Sequence, residues 1–441
     1  MTFVSRLISR KSLRNQKTDV VDLQQSAPAL GEVSSTAQHS QPDPNCLPLV
    51  DTIVSNVKKL LVYSTDITVG SEDVALFDRS EIMVGRRLGK GGFSDVSEVE
   101  LILPHSNAEN NLSFRQTLAR ECLIASCENG EGRFAIKHLR QELLRKSEKD
   151  FCMAAADLIV EGHVLASVRH PHILAIRGWA MAGAHAYNDG SHDGYFLIVD
   201  RIYETLSQRM ARWKLERPSQ DELSLECVRI GSQLASALEY LHKRNMIFRD
   251  LKPDNIGFDA NGDIKIFDFG LCRQLPSNGA SNDALFSMTG KVGTMVYMSP
   301  ECALNFKYGV SSDVYSFSLV LFEMMNLGKK AFAGYDREQY LEEVCRNGKR
   351  PQVDASWPIM MSDLLERSWS KNTEERPSMT EIKLRLQDVM LDMLQSETRD
   401  DEKVFNDDVG CNRGAWHPMD RHASTLEFHE HGVLPMYILQ D

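Results

Sequence analysis

The order of hydrophobic patterns along the chain limits its fold more than any other feature. Short apolar-rich runs bounded by turn residues predict strands at 82–88, 96–103 and 133–139. After Thr205 the apolar residues recur at helical spacing instead. Strands followed by helices, without an internal repeat, are typical of an α+β fold, and we expect two lobes. The N-lobe would be small and β-rich, and the C-lobe larger and helical.

Further elements are predicted in the N-lobe. A helix is expected at 150–169, with strands at 173–179 and 195–200. Between the second and third strands lies a polar segment at about 104–132. Its length indicates an insertion on a hairpin, and we interpret it as a mobile loop, not as a site.

The two ends of the chain differ in composition from the middle. Residues 1–18 are basic, with no acid before Asp19, which fits either an Arg- and Ser-rich organelle transit peptide or a disordered basic tail. Residues 26–48 are rich in Ser, Pro, Gln and Ala and predict a linker. We therefore expect a mostly disordered region at 1–80 and a folded domain at 81–392. Its N-lobe would span about 81–202 and its C-lobe about 203–392.

Residues 393–441 begin acidic and end rich in histidine, and we interpret them as a flexible or docking tail. A metal site is the alternative for this tail. The histidines that such a site would use are His417, His422, His429 and His431.

Charge and cysteine content exclude several classes of protein. A formal net charge of −12 argues against general binding of nucleic acid or anionic membranes, since both need a basic protein surface. Nine cysteines without C-x-x-C pairs indicate reduced thiols in an intracellular, cytoplasmic protein, and an organelle is the alternative if residues 1–18 are a transit peptide. No uninterrupted apolar run approaches the ~20 residues of a membrane-spanning helix. We expect a soluble protein without a membrane span.

A glycine-rich sequence, LGKGGFSDV at 88–96, joins the first two predicted strands. Such a loop lets backbone N–H groups approach nucleotide phosphates without obstruction by side chains. An ordinary turn is the alternative when the loop is considered alone. The sequence FAIK, which ends at Lys137, follows on the third predicted strand.

Two acidic motifs follow in the predicted C-lobe. The first is FRDLKPDN at 248–255, and the second is DFG at 268–270, directly after the predicted strand IKIF. Carboxylate and amide oxygens at such turns are suited to Mg²⁺. Two unrelated Asx turns are the alternative.

Taken together and in this order, these motifs resemble those of eukaryotic-type protein kinases over roughly residues 82–390. The resemblance implies ATP as a substrate. Lys137 would contact its α- and β-phosphates and pair with Glu161 on the next helix, where Gly162 weakens the helix by ~1 kcal/mol relative to Ala. The residues implied to line the nucleotide site are Leu88, Gly89, Lys90, Gly91, Gly92, Val96, Ala135, Lys137, Asp200 and Ile202.

The resemblance also implies the catalytic and metal-binding residues. Asp250 would accept or orient the proton of the substrate hydroxyl, and Lys252 would steady the charge of the transferred phosphoryl group. Asn255 and Asp268 would hold Mg²⁺ or Mn²⁺.

The activation segment of such a kinase would run from Asp268 to Glu301. Thr294 would contact Asp250 and Lys252. Phosphorylation at Ser287 or Thr289, by an upstream kinase or by the protein itself, would let the phosphate pair with Arg249. Glu301 would form a buried ion pair with Arg376, and Asp313 would anchor the catalytic loop from below.

Lys252 and Thr294 are similar to the residues of serine/threonine kinases, and the run DVYSFSLVLFEM resembles the tyrosine-kinase-like branch of that group. The implied function is transfer of the γ-phosphoryl group of Mg·ATP to Ser/Thr hydroxyls of proteins, in signal transduction. Two alternatives are an ATP-binding pseudokinase scaffold and a small-molecule kinase of similar fold.

The chain departs from the family pattern at three positions. Ser94 replaces a loop glycine, Phe248 replaces the usual His, and Ser318 replaces a common Gly. In the family, the residue at the place of Phe248 packs beneath the DFG phenylalanine. We therefore expect Phe248 to stack on Phe269 in a column with Leu165 and Ile176, which changes packing and leaves the chemistry of Asp250 intact.

Overall fold

The structure is a computed structural model that describes residues 49–61, 73–105, 112–130, 133–275, 295–304 and 309–410. Of residue 394 and residues 396–410, only the backbone is described. No helix in this part of the chain is long and apolar enough to cross a membrane.

A six-stranded sheet forms most of the N-lobe. Its strands are β1 (Ala75–Phe77), β2 (Ile82–Lys90), β3 (Ser94–Ile102), β4 (Phe134–Leu139), β5 (Ile176–Ala180) and β6 (Phe196–Asp200). They lie in the order β1-β5-β6-β4-β3-β2. β1 is parallel to β5, whereas the other neighbouring strands are antiparallel. The strands predicted from the sequence therefore form one sheet, and the predicted helix at 150–169 is present as Glu148–Ser167.

The folded region begins before the predicted boundary at residue 81. Helix α1 (Leu49–Leu60) carries apolar residues on one face, and two of them, Val50 and Ile53, are buried in the core. β1 pairs with β5, and its residues Ala75 and Phe77 are fully buried. The expectation of a mostly disordered region up to residue 80 is therefore wrong for these two elements, because their apolar residues pack against parts of the chain that are distant in sequence.

The predicted loop at 104–132 instead contains helix α2 (Phe114–Glu128). Ser113 caps the helix by accepting a hydrogen bond from the Gln116 N–H, while the Gln116 side chain accepts one from the Ser113 N–H. Arg120 in α2 forms a fully buried ion pair with Glu81 and donates a 2.7 Å hydrogen bond to the Leu76 carbonyl. A mobile loop is therefore the wrong interpretation, since the segment is fastened to the sheet by a buried charge pair.

A short helix and a long helix follow β4 in the N-lobe. They are α3 (Gln141–Lys146) and α4 (Glu148–Ser167), and α4 packs beside the sheet. Ser147 caps α4 by accepting a hydrogen bond from the Asp150 N–H at 3.2 Å.

Helices dominate the described part of the C-lobe. They are α5 (Leu206–Glu216), α6 (Gln220–His242), α7 (Pro300–Ala303), α8 (Ser311–Met325), α9 (Arg337–Gln339, followed by a π-helical turn at Tyr340–Arg346), α10 (Ile359–Ser368) and α11 (Met379–Gly410). Every residue of α8 after Ser311 is buried, so this helix forms the centre of the lobe. α6 packs against both α8 and α11. The predicted tail boundary at residue 392 falls inside α11.

Short strands at the lobe junction carry the predicted motifs. They are β7 (Glu204–Thr205), β8 (Met246–Ile247), β9 (Ile256–Phe258), β10 (Ile264–Ile266) and β11 (Arg273–Gln274). β9 lies between β10 and β7, and β11 pairs with β8. The sequence FRDLKPDN thus joins β8 to β9, and DFG lies just beyond the end of β10. The α+β fold in two lobes is confirmed.

Candidate active site

The backbone of the loop at 248–255 is held by Asp313 of helix α8. The N–H groups of Phe248 and Arg249 each donate a 2.9 Å hydrogen bond to the Asp313 carboxylate, and the His242 ring lies 2.9 Å from it. Asp313 is 1% exposed. Arg249 has a φ of +72°, a conformation that a side chain other than Gly seldom adopts without support. Asp313 supplies that support, as the resemblance implied.

Three polar side chains meet inside this loop. Lys252 Nζ lies 2.6 Å from Asp250 Oδ2, and Asn255 Nδ2 donates to the same oxygen at 2.8 Å and to the Asp250 carbonyl at 2.9 Å. Asp250 Oδ1 is buried and has no hydrogen-bond partner among the described residues. Burial raises the pKa of Asp250, and Lys252 partly offsets this effect. An acceptor oxygen held in place without a donor is suited to a hydroxyl group brought by a substrate.

A second cluster joins the N-lobe sheet to the DFG turn. Lys137 Nζ lies 2.6 and 2.8 Å from the two carboxylate oxygens of Glu161 and 3.0 Å from Asp268 Oδ1. Asp268 has a φ of +68°, and its side chain is 47% exposed. Burial lowers the pKa of Lys137, but Asp268 and Glu161 outweigh it, so the pKa is raised and the ammonium stays charged. The charge of Lys137 in turn lowers the pKa of Asp268.

Helix α4 determines which carboxylate reaches Lys137. Glu161 is 3% exposed and points to the sheet, whereas Asp157, one turn earlier, lies 3.5 Å from Arg273 of β11. Gly162 lies where α4 approaches the sheet most closely. A Cβ at this position would be 2.8 Å from Leu197 Cδ2, 2.9 Å from Tyr195 Oη and 3.1 Å from Trp179 Cε3. Gly162 weakens the helix by its low propensity, but it is required for the close packing of α4 on the sheet.

The glycine-rich sequence forms the hairpin between β2 and β3. At its tip the Gly91 N–H donates a 2.7 Å hydrogen bond to the Ser94 carbonyl, and a Cβ on Gly91 would lie 3.1 Å from that oxygen. Arg140, just after β4, donates to the Gly92 carbonyl at 3.2 Å. Sequence reasoning missed Arg140, because no motif marks a side chain that contacts only backbone atoms of a loop.

Strand register brings the other predicted nucleotide contacts into one region. Val96 is paired with Lys137, and Ala135 with Val199, across neighbouring strands of the sheet. Ile202 packs on Gly257 of β9 so closely that a Cβ there would be 2.3 Å from Ile202 Cγ2. The remaining predicted contacts, Leu88, Gly89, Lys90, Gly91 and Gly92, lie on the hairpin above.

Asp200 at the end of β6 has a partner that the sequence did not indicate. Arg177 Nε and Nη2 donate hydrogen bonds of 2.7 and 2.8 Å to the two oxygens of the Asp200 carboxylate. This bidentate pair links the end of β6, from which the chain leaves the N-lobe sheet, to β5. The ion pair of Arg177 with Asp200 could not be predicted from the sequence, because Arg177 lies on β5 and its spacing from Asp200 follows no motif.

The residues predicted to hold Mg²⁺ are chemically suited to it. Asp268 presents a charged, half-exposed carboxylate, and the side-chain oxygen of Asn255 is the atom left for a cation because its Nδ2 donates to Asp250. Both are hard oxygen ligands. The described residues contain no group of three or more His, Cys, Asp or Glu side chains that could hold a metal alone.

Two packing predictions agree with the geometry. The rings of Phe248 and Phe269 are both fully buried, with centroids 5.0 Å apart in an edge-to-face arrangement. Glu301 and Arg376 form a buried bidentate ion pair with distances of 2.7 and 2.8 Å. Thr294, Ser287, Thr289 and the four tail histidines lie outside the described residues.

Comparison with known proteins identifies the family. The family model of protein tyrosine and serine/threonine kinases matches residues 82–386 of the 441. The chain is 26% identical over 339 residues to a probable serine/threonine-protein kinase of Dictyostelium discoideum, which covers 76% of this chain and 19% of the relative. It is 29% identical over 256 residues to the RAC-beta serine/threonine-protein kinase of Homo sapiens, and this match covers 56% of this chain and 48% of the relative.

A serine/threonine-protein kinase of Arabidopsis thaliana is 27% identical over 256 residues, which covers 58% of this chain and 40% of the relative. The chain thus spans less than half the length of each of these relatives. The family match nevertheless includes the glycine-rich hairpin, Lys137, the loop of Asp250 and the DFG turn. The chain therefore belongs to the protein tyrosine and serine/threonine kinase family.

Proposed function

We propose that the protein is a serine/threonine protein kinase that transfers the γ-phosphoryl group of ATP to protein hydroxyls. The observation that carries the proposal is the contact of Lys137 with both Glu161 and Asp268, since these groups come from three separate elements of the fold. An ion pair needed only for stability would not require a carboxylate that is 47% exposed beside a lysine that is 14% exposed. Such an arrangement fits a site that binds phosphates and a cation.

Each residue has a chemical role in the proposal. The ammonium of Lys137 binds the α- and β-phosphates, and Glu161 fixes its direction. The free oxygen of Asp250 accepts the proton of the attacking hydroxyl, which contributes typically ~10²–10⁴-fold to the rate. Lys252, 2.6 Å from the other oxygen, steadies the charge of the transferred group.

A magnesium ion held by Asp268 and Asn255 would neutralise charge on the phosphates. The backbone of 199–202 and the side chains of Val96 and Ala135 provide the adenine contacts in this proposal. The hairpin at 88–92 covers the phosphates. Arg177 supports the site by holding Asp200.

Serine/threonine specificity has two supports. Lys252 in the sequence DLKPDN is similar to serine/threonine kinases, and the relatives described above carry serine/threonine-protein kinase names. The resemblance to the tyrosine-kinase-like branch agrees with the matching family model, which covers both tyrosine kinases and serine/threonine kinases. Protein substrates, and not nucleic acid, fit the net charge of −12. A cytoplasmic location is part of the proposal, with an organelle as the alternative if residues 1–18 are a transit peptide.

Activation by phosphorylation at Ser287 or Thr289 is the regulatory part of the proposal. Arg249 and Arg273 lie close enough that the charge of Arg249 lowers the pKa of Arg273, after the larger effect of burial. A phosphate would relieve the repulsion between these two cations. A variant with both Ser287→Ala and Thr289→Ala is expected to lose most of its activity. Full activity of that variant would exclude the switch.

Two assays test the proposal. The purified protein is incubated with Mg·ATP and analysed by mass spectrometry, and its phosphoryl transfer to a peptide array is measured separately. We expect phosphate on Ser and Thr of the wild-type protein and its peptides. Asp250→Asn, which keeps the size of the side chain, should reduce the transfer at least ~10²-fold. Transfer that does not depend on Asp250 would favour a pseudokinase scaffold, and transfer only to small molecules would favour a small-molecule kinase.

A further inference from the structure

Helix α4 is enclosed on nearly all sides. Between Phe151 and Ala166 every residue is buried except Met153, Asp157 and His163. A helix that packs on a sheet along one face would keep a wide exposed stripe instead. Another element must therefore cover the face of α4 that is turned away from the sheet.

Helix α1 covers that outer face. It packs mainly on α4, and also on the short 3-10 helix Gly183–Tyr187. Ile53 is fully buried and Val50 nearly so, while Val54 and Val57 are half-buried against the core. These positions follow the spacing of one helical face. Ser55, by contrast, is exposed.

Cys152, at the contact between α1 and α4, lies on the side of α4 opposite Glu161. The Cys152 thiol of α4 lies 4.0 Å from the Leu49 carbonyl of α1. Cys152 precedes Glu161 by nine residues, which corresponds to a rotation of about 180° and a rise of about 13 Å along the helix. α1 therefore supports α4 from one side, while Glu161 contacts Lys137 on the other.

We propose that α1 is a brace for α4 and that Ile53 is a positioning residue that keeps Glu161 in contact with Lys137. The proposal rests on the kinase function proposed above and adds a determinant that lies outside the match to the family, which begins at residue 82. Without α1, the outer face of α4 would expose apolar side chains, and α4 would lose the contact that opposes its movement away from the sheet.

Four variants of the full chain test the brace. Ile53→Asp places a charge in the contact, and Ser55→Asp introduces the same side chain on the exposed face of the same helix. Ile53→Val keeps the contact, and Ile53→Ala shortens it. For each variant we would measure kcat per nucleotide-binding site, the KM for ATP, the affinity for a non-hydrolysable ATP analogue with Mg²⁺, and hydrogen exchange of the α4 amides.

The expected result is a loss of kcat of about tenfold in Ile53→Asp, with weaker binding of the analogue and faster exchange in α4. Ser55→Asp and Ile53→Val should stay within about twofold of the wild type. A purely structural role of Ile53 would lower the fraction of folded protein but leave kcat per site unchanged, and this result would overturn the proposal. An equal effect of Ser55→Asp would do the same.

The remaining outcomes are also decisive. If Ile53→Asp does not fold, Ile53→Ala takes its place: a kcat per site at least about threefold below that of Ile53→Val supports the brace, and a smaller difference contradicts it. If the wild-type protein transfers no phosphate, the kinase function fails. The affinity for the ATP analogue and the exchange of α4 then still decide whether α1 positions Glu161.

Discussion

Replacement of Gly162 by alanine tests whether helix propensity or packing determines the effect of this residue on stability. Propensity alone predicts that Gly162→Ala stabilises α4 by about 1 kcal/mol. The structure predicts the opposite sign, because the new Cβ would lie 2.8 Å from Leu197 Cδ2 and 2.9 Å from Tyr195 Oη. Both neighbours are buried, so they cannot move into solvent. Overpacking of this kind costs about 1–3 kcal/mol, which leaves a net loss of up to about 2 kcal/mol.

The same substitution should also affect the active site. Leu197 is the strand partner of Lys137, and Gly162 is adjacent to Glu161, so the strain acts on both ends of this ion pair. If the strain removes about 1.4 kcal/mol of stabilisation from the active arrangement, phosphoryl transfer falls about tenfold. Urea denaturation would measure the stability, and initial rates with Mg·ATP would measure the transfer.

Gly231→Ala in helix α6 is the matched control for Gly162→Ala. Gly231 is also a buried residue of a helix, but its nearest neighbour would be Leu386 Cδ1 at 3.2 Å, the end of a flexible side chain. We expect Gly231→Ala to be neutral or stabilising by up to about 1 kcal/mol, with unchanged transfer. Equal stabilisation by both substitutions, with full activity in each, would refute the packing explanation.

Three further predictions concern the C-lobe. Glu301→Ala should lower the free energy of unfolding by about 3–5 kcal/mol in urea denaturation, because it leaves the buried guanidinium of Arg376 without its carboxylate partner. The control is Glu381→Ala, in a half-exposed ion pair, which should lower the free energy of unfolding by no more than about 1 kcal/mol. Equal losses in the two variants would contradict the reasoning. Phe248→His should leave kcat within about tenfold of the wild type, since the ring packs on the DFG phenylalanine and does not touch the reacting groups; a much larger rise would mean that Phe248 suppresses activity. Burial raises the pKa of the Glu323 carboxyl from 4.5 to about 7. Between these two pH values the folded protein keeps a proton on Glu323 that the unfolded chain has released. Stability should therefore fall as pH rises from about 4.5 to about 7, by on the order of 3 kcal/mol. Glu323→Gln should match the wild type near pH 5 and be more stable above pH 8 in urea denaturation, and parallel stability curves would show that Glu323 does not carry this effect.

Local sequence signals were sufficient for most of the two lobes. The hairpin at 88–96 and the loop at 248–255 were recognised because each motif consists of consecutive residues, and their chemistry was implied by the resemblance to protein kinases. Helix α4 was predicted because its apolar residues repeat at helical spacing. The contact of Lys137 with Glu161 was expected from the resemblance, and the structure contains it.

Elements that depend on distant contacts were not predicted. β1 is only three residues long and is stabilised by pairing with β5, about a hundred residues later in the chain. Helix α2 has a weakly amphipathic sequence, and one of its attachments is the buried ion pair of Arg120 with Glu81. No local pattern distinguishes such an arginine from one in a solvent-exposed loop. For the same reason, helix propensity alone does not reveal that Gly162 packs against Leu197 of the neighbouring sheet and against Tyr195.

Because the catalytic loop is anchored to Asp313, we expect the two halves of the site to open separately. Helix α8 lies at the centre of the C-lobe core, so we expect the loop that carries Asp250 to open only when that core unfolds. Lys137 lies in the N-lobe sheet, and we expect this sheet to open without unfolding α8. A partial unfolding event would therefore release Lys137, the proposed phosphate contact, and leave Asp250, the proposed proton acceptor, in place. The site would then reassemble around a catalytic loop that had never lost its shape.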